Sequence, residues 1–298
     1  MKIRCGFDIT YFCNIPTPML FLLSVHPSRE QDLLTPQQIT FTPHVASRVY
    51  TDAFGNRVTR ILAPVGETRL TSDFLIRDSG LEDEYAPHAK EIPVEELPDD
   101  VLVFLLASRY CDTEALSNLA WSLFGNSPRG WQRVEAIVAY ANQRISFGYA
   151  HARNTRTASE GHSEQVGVCR DFAHLAVTLC RCMNIPARYC TGYLGDIGVP
   201  VGDTPMDFSA WFEVFLDGRW YTFDARHKHA RIGRIVMARG RDATDVAIST
   251  AFGPANLVGF TVVTDEIPDH VDMGTLPSIG SIAEASADEP LRSPQSGR

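Results

Sequence analysis

Cys169 is the residue whose type and setting could do chemistry. It follows Gly167-Val168 and opens a helical pattern, Cys169-Arg170-Asp171-Phe172-Ala173-His174. The exposed N–H groups and macrodipole of a helix start favour thiolate over thiol, so this placement predicts a depressed thiol pKa. A thiolate so placed is a nucleophile that needs a base to complete it. The competing reading is a small buried hydrophobe, the commoner fate of a free cysteine. Cys5 and Cys13 read as packing residues. Cys180 and Cys182 fall on different faces of one helix, which does not suit shared metal ligation. His174, five residues past Cys169, projects from another part of the helix circumference. His162 lies upstream in a Ser/Gly/Glu stretch with nothing specific to recommend it.

The elements that must position Cys169 follow from the apolar periodicity. Residues 1–80 read as β: Ile3, Cys5, Phe7, Ile9 and Tyr11 alternate with polar or small residues, the pattern of a half-buried strand. Strand-like runs follow at Leu20–Val25, Gln38–Thr42, Ala46–Thr51, Arg57–Leu62 and Thr68–Ile76, with turn chemistry at Asp52–Asn56. They predict a small sandwich or barrel. Residues 81–100, acidic and proline-containing, read as a surface linker. From residue 101 the period turns helical. One helix runs from Thr113 to Phe124 and a second from Pro128 to Ile145, the latter with an apolar stripe through Trp131, Val134, Ile137, Val138, Ala141 and Ile145. The Cys169 helix stops at Asn184, two residues before Pro186. Strands are predicted at Ala187–Tyr193, Ala210–Leu216 and Arg219–Asp224, the last two joined by an Asp217-Gly218 hairpin turn. Residues 266–298, rich in Pro, Ser, Gly and acids, read as a disordered tail.

The stretch from Gly167 to Asp224 resembles the bacterial transglutaminase-like cysteine peptidase family. The resemblance rests on Gly167-Val168-Cys169-Arg170-Asp171-Phe172-Ala173-His174, Asn184-Ile185-Pro186-Ala187-Arg188-Tyr189, Gly192-Tyr193-Leu194, Ala210-Trp211-Phe212-Glu213-Val214 and Trp220-Tyr221-Thr222-Phe223-Asp224. It extends over roughly residues 97–265, and the N-terminal β region is similar, more weakly, to that family's N-terminal module. It implies an α+β fold: a papain-like, transglutaminase-like core (101–265) with an antiparallel sheet, preceded by a small all-β module. It also implies a Cys-His-Asp triad that forms an acyl-enzyme at an amide. Carried over, Cys169 is the nucleophile and Asp224 the carboxylate that orients the base. Backbone N–H groups at the start of the Cys169 helix supply part of an oxyanion hole.

The base departs from the pattern. Ser209 stands where the family has its histidine, ahead of Ala210-Trp211. A two-residue turn at Asp217-Gly218 opposes Leu216 to Arg219, Trp211 to Asp224 and Ser209 to Arg226, so Ser209 and Asp224 share a face. Serine is no general base near neutral pH. Three readings stay open. His227, three residues past Asp224 in Asp224-Ala225-Arg226-His227, replaces the missing base, with His229 a lesser candidate. The site is degenerate, and the groove binds a peptide or protein partner. Or Cys169 acts without a histidine, with substrate groups moving the proton. Asp224 has a plainer reading, as a turn cap or a partner of Arg226. Residues Arg226 to Arg241, with Arg231, Arg234 and Arg239 among them, form a local basic run, either a solvated hairpin or a stretch some of whose arginines line the groove for a substrate carboxylate or phosphate. Arg170 and Asp171 read as a helix-start pair.

A net charge of -9 excludes the basic face that phosphate binding needs, so no nucleic-acid partner is expected. No apolar run approaches the roughly 20 residues of a membrane span. Seven cysteines without a C-x-x-C pair or a signal-like start fit reduced thiols in a cytoplasm. No cofactor, calcium or other metal is expected. His227-x-His229 has metal-ligand spacing but no evident third ligand. The expected substrate is a peptide or protein amide.

Overall fold

The computed structural model describes all residues except 201, 203–205, 228–229, 269, 272–275, 280 and 282–298. The alternating N-terminal segment forms β1 (Lys2–Cys13), followed by β2 (Thr17–Phe21), β3 (Thr40–Thr42), β4 (Ser47–Thr51), β5 (Arg57–Ala63) and β6 (Gly66–Arg77). The helical half holds α1 (Thr113–Phe124), α2 (Trp131–Arg144), β7 (Ser146–Phe147), α3 (Ala158–Glu164), β8 (Val166–Gly167) and α4 (Cys169–Cys182). A sheet region follows with β9 (Ala187–Tyr193), β10 (Ser209–Leu216), β11 (Arg219–Phe223) and β12 (Ile235–Gly240), and the chain ends in β13 (Ser249–Ala251) and β14 (Asn256–Ile267).

The core sheet has the order β11-β10-β9-β12, all antiparallel. Strand β10 lies second and is buried along its whole length, as a near-continuous apolar run requires. Helix α4 is buried from Asp171 to Cys182. It packs on β9 and β10 on one side and on α1, α2 and α3 on the other. Phe172, Ala176, Leu179 and Phe212 share one core with Trp131, Val134 and Ile137 of α2. Asp217 at φ 45° and Gly218 at φ 79° make the tight turn that the sequence predicts, and pairing runs from Leu216↔Arg219 to Phe212↔Phe223. There the ladder ends. Asp224 leaves the sheet, and Ser209 pairs with Gly192 of β9 rather than facing Arg226.

The β module is two four-stranded sheets, β14-β1-β6-β3 and β13-β2-β5-β4. Two of those strands come from the far end of the chain, so the boundaries 1–80 and 101–265 do not describe how the sheets are built. Strand β14 pairs with β1 from Lys2↔Ile267 to Phe12↔Asn256. The module's core also runs into the core sheet, with Ile3, Phe7 and Phe74 in one cluster with Tyr193, Phe208, Ile235 and Met237.

Two further stretches are held more firmly than a linker and a tail require. The acidic stretch at 81–100 is mostly exposed but is anchored through Glu91 and Asp83. Glu91 is buried and pairs with Arg133 of α2 at 3.2 Å, and Asp83 pairs with Arg234 at 2.9 Å. The tail prediction begins too early: residues 266–267 finish β14, Ile279 is buried, and Arg4 Nη2 donates to the Pro277 carbonyl at 2.8 Å. The rest of that prediction, 282–298, lies outside the described residues. Phe212 is fully buried at the centre of the sheet and stacks on Phe223 at 5.9 Å. Phe212→Ala should lower unfolding stability by about 3–5 kcal/mol, read as a reduced midpoint with unchanged slope in urea denaturation.

Candidate active site

Cys169 is the first residue of α4 and is half-buried. What fixes that helix start is Asp171, whose Oδ2 accepts from the Val168 N–H at 2.8 Å and from Arg156 Nη1 at 3.0 Å. The preceding residue must be glycine: a Cβ on Gly167 would stand 2.5 Å from Asp171 Oδ2. The expected Arg170–Asp171 pair does not form. Arg170 instead covers the Tyr110 ring at 4.2 Å and donates to the Asn154 carbonyl at 2.6 Å.

Asp224 is buried at the end of β11. Its Oδ1 accepts the backbone N–H of Arg226 at 2.8 Å and of His227 at 3.2 Å, so it does cap a turn. Its Oδ2 receives Arg234 Nη2 at 2.9 Å and lies 2.8 Å from His227 Nδ1. Burial opposes ionisation of this carboxyl, but Arg234 and the His227 contacts outweigh it and hold it well below the usual carboxylate range. Arg234 in turn is gripped by both oxygens of Asp83, at 3.0 and 2.9 Å from Nε. A buried line therefore runs Asp83–Arg234–Asp224–His227.

His227 and Ser209 line one cavity of about 50 Å³, shared with Tyr149, Asp207 and Arg226. The Ser209 hydroxyl is buried with no hydrogen-bond partner among the described residues. The structure thus brings His227 to Asp224 and to the space beside Ser209. His229 lies outside the described residues.

The thiol departs from expectation. Burial pushes Cys169 up to about 11, and Asp207 and Asp224 add to the shift. Arg226 and the Ala210 N–H oppose it only in part. The helix start is present, but removal from water and two nearby carboxylates outweigh it, so the resting thiol is neutral. His174 and His162 are held by partners of their own. His174 is fully buried between Tyr110 and Tyr189, accepts the Ala243 N–H at 3.1 Å, and is driven down to about 3 by burial and by Arg170. His162 bonds the Tyr140 hydroxyl at 2.7 Å.

The basic run is not a solvated hairpin, and Arg226 and Arg231 of it line the cavity. Arg231, Arg234 and Arg239 are largely buried and close on Asp196, Asp224 and Glu213, while Arg241 closes on Asp245. Alternation could not show this, because the acids come from distant segments. Arg226, Asp207 and Tyr149 at the cavity were missed for the same reason. Among the described residues no group of three or more His, Cys, Asp or Glu could hold a metal ion. Nor is any helix there long and apolar enough to cross a membrane.

This arrangement of a cysteine-led helix, an antiparallel hairpin and a carboxylate at the strand end defines a class. Residues 118–225 match the model of the transglutaminase-like superfamily. A structure from Cytophaga hutchinsonii named "putative cysteine protease" superposes with a TM-score of 0.76 at 29% identity, covering 91% of this chain and 92% of that one. Uncharacterized protein ML0607 of Mycobacterium leprae is 26% identical over 214 residues, 69% of this chain and 75% of that protein. Uncharacterized protein Rv2569c of Mycobacterium tuberculosis is 32% identical over 126 residues, 38% of this chain and 40% of that protein.

Because the Asp224 carboxyl is depressed on folding, its stabilisation is complete above the unfolded value of about 4 and is lost as pH falls below it. Thermal melts from pH 7 to pH 3 should therefore show Asp224→Asn less stable than the parent at neutral pH, with the gap narrowing in acid. Arg234→Met leaves Asp83 and Asp224 buried without their cation and should cost about 3–5 kcal/mol at neutral pH.

Proposed function

We propose that the protein is a thiol-dependent amidase or peptidase in which Cys169 forms a thioester and His227 is the base that replaces the missing histidine. The observation that carries this is the 2.8 Å contact between His227 Nδ1 and Asp224 Oδ2. Asp224 stays ionised and accepts the Nδ1 proton, which leaves Nε2 to take a proton. The cavity that His227 shares with Ser209 is small, and serine in place of histidine leaves room there for a ring arriving from the following loop. The N-terminal N–H groups of α4 supply part of an oxyanion hole.

The chemistry balances without any added group. Sγ gives its proton to His227 Nε2 and attacks the amide carbonyl carbon. The tetrahedral oxyanion collapses, the C–N bond breaks, and His227 returns the proton to the departing amine. Water, deprotonated by the same ring, then cleaves the thioester to acid and thiol. The high resting pKa of Cys169 means that base and attack act together rather than through a stored thiolate.

The test is burst acylation by p-nitrophenyl acetate at pH 7, with the acyl group mapped by mass spectrometry. The parent should acylate at Cys169, Cys169→Ser should show no burst, and His227→Gln should slow it by about 10²–10⁴ while keeping the parent's melting temperature. No burst in the parent, or a burst indifferent to His227→Gln, would overturn the reading. The first of those results would favour a peptide-binding groove on an inactive site.

A further inference from the structure

We propose that Arg226 is a carboxylate anchor beside Cys169, so that the cleft selects amides carrying a carboxylate close to the reacting carbonyl. Arg226 is placed with unusual firmness for a residue in a turn. Its backbone N–H is held by Asp224 Oδ1 at 2.8 Å, and its carbonyl accepts from Asn142 Nδ2 of α2 at 2.9 Å. Its guanidinium rests 3.9 Å over the ring of Phe147. Phe147 pairs with Gly167, two residues before the nucleophile. Arg226 is thus tied to the helix start through β7 and β8 and to the base through Asp224.

What sets this arginine apart is that its charge, felt by Asp207 and in contact with the Tyr149 hydroxyl, is not closed in an ion pair among the described residues. Arg188, Arg231, Arg234, Arg239 and Arg241 each close on a carboxylate. Arg226 forms no ion pair with a described residue, and its ring platform is left partly exposed, as is the neighbouring Tyr149. A flat aromatic face holds a guanidinium in place without neutralising it, so the N–H fork stays available for a planar anion. The same cavity wall carries His227 and Ser209, and Asp207 supplies a negative charge there. A bound carboxylate is therefore confined to the Arg226 side. An acidic side chain and a free C-terminus both present this chemistry.

The inference rests on Cys169 being the reacting group, but not on the role of His227. It is tested by alkylating the intact protein with iodoacetate and, in parallel, with iodoacetamide, following Cys169 by mass spectrometry. The rate ratio of the anionic to the neutral reagent is compared with that of glutathione. At low salt the parent's ratio should exceed glutathione's about tenfold, Arg226→Met should return it to the glutathione value, and Arg226→Lys should keep part of it. An arginine that only tuned the thiol would change both rates equally and leave the ratio untouched. A ratio equal to glutathione's, or unmoved by Arg226→Met, overturns the proposal. Two peptides name the source: a blocked peptide with an internal Glu, and a neutral peptide with a free C-terminus. Protection of Cys169 from iodoacetate by either one supports carboxylate capture, and protection by neither at millimolar concentration overturns it. Failure of the acylation burst with the ratio intact would remove catalysis and leave the anchor; the converse would remove only the anchor.

Discussion

A buried carboxylate held in its ionised form organises the half of this protein that carries the candidate site. Asp224 sits out of water at the end of β11, where an unpaired anion would be strongly disfavoured. Its charge is stabilised from three directions: the Arg234 guanidinium, two backbone N–H groups of the following turn, and the His227 ring. Each partner fixes a different part of the chain. Arg234 ties down the segment entering β12, the turn N–H groups shape 225–227, and the ring is drawn back over the hairpin. Asp83 extends the same network into the stretch that joins the two halves.

The β module and the core are bound together by similar reasoning, in apolar terms. The first strand finds its partner in the last one, and their common interior includes Tyr193 and Phe208 from the region around the active site. A module made from residues 1–80 alone would leave β1 with an open edge along its β14 side. Closing that edge with β14 removes an exposed row of backbone donors and acceptors. It also makes the chain ends structurally interdependent with the site between them.

Much of the fold was legible because it depends on local periodicity and turn chemistry. The Cys169 helix, the stop before Pro186, the Asp217-Gly218 hairpin and its register all follow from residues within a few positions of one another. Short elements, such as α3 with seven residues and β7 and β8 with two each, carry too few residues for a pattern to show. Strands β12, β13 and β14 were absorbed into a basic run and into the supposed end of the core. Their roles as strands come from partners that are distant in sequence.

The site divides along the same line. Sequence by itself determined the place of Cys169 at a helix start, the carboxylate at a strand end, and the serine where the family resemblance expects a histidine. It also singled out His227, because three residues of chain cannot carry a side chain far from Asp224. Only the tertiary structure decided that Arg234, with Asp83 behind it, holds that carboxylate, that Arg226 forms no ion pair with a described residue, and that burial pushes the thiol up. These are questions of charge in a buried setting. The field at a buried group is summed over whatever packs around it, and that sum has no counterpart in the order of residues along the chain.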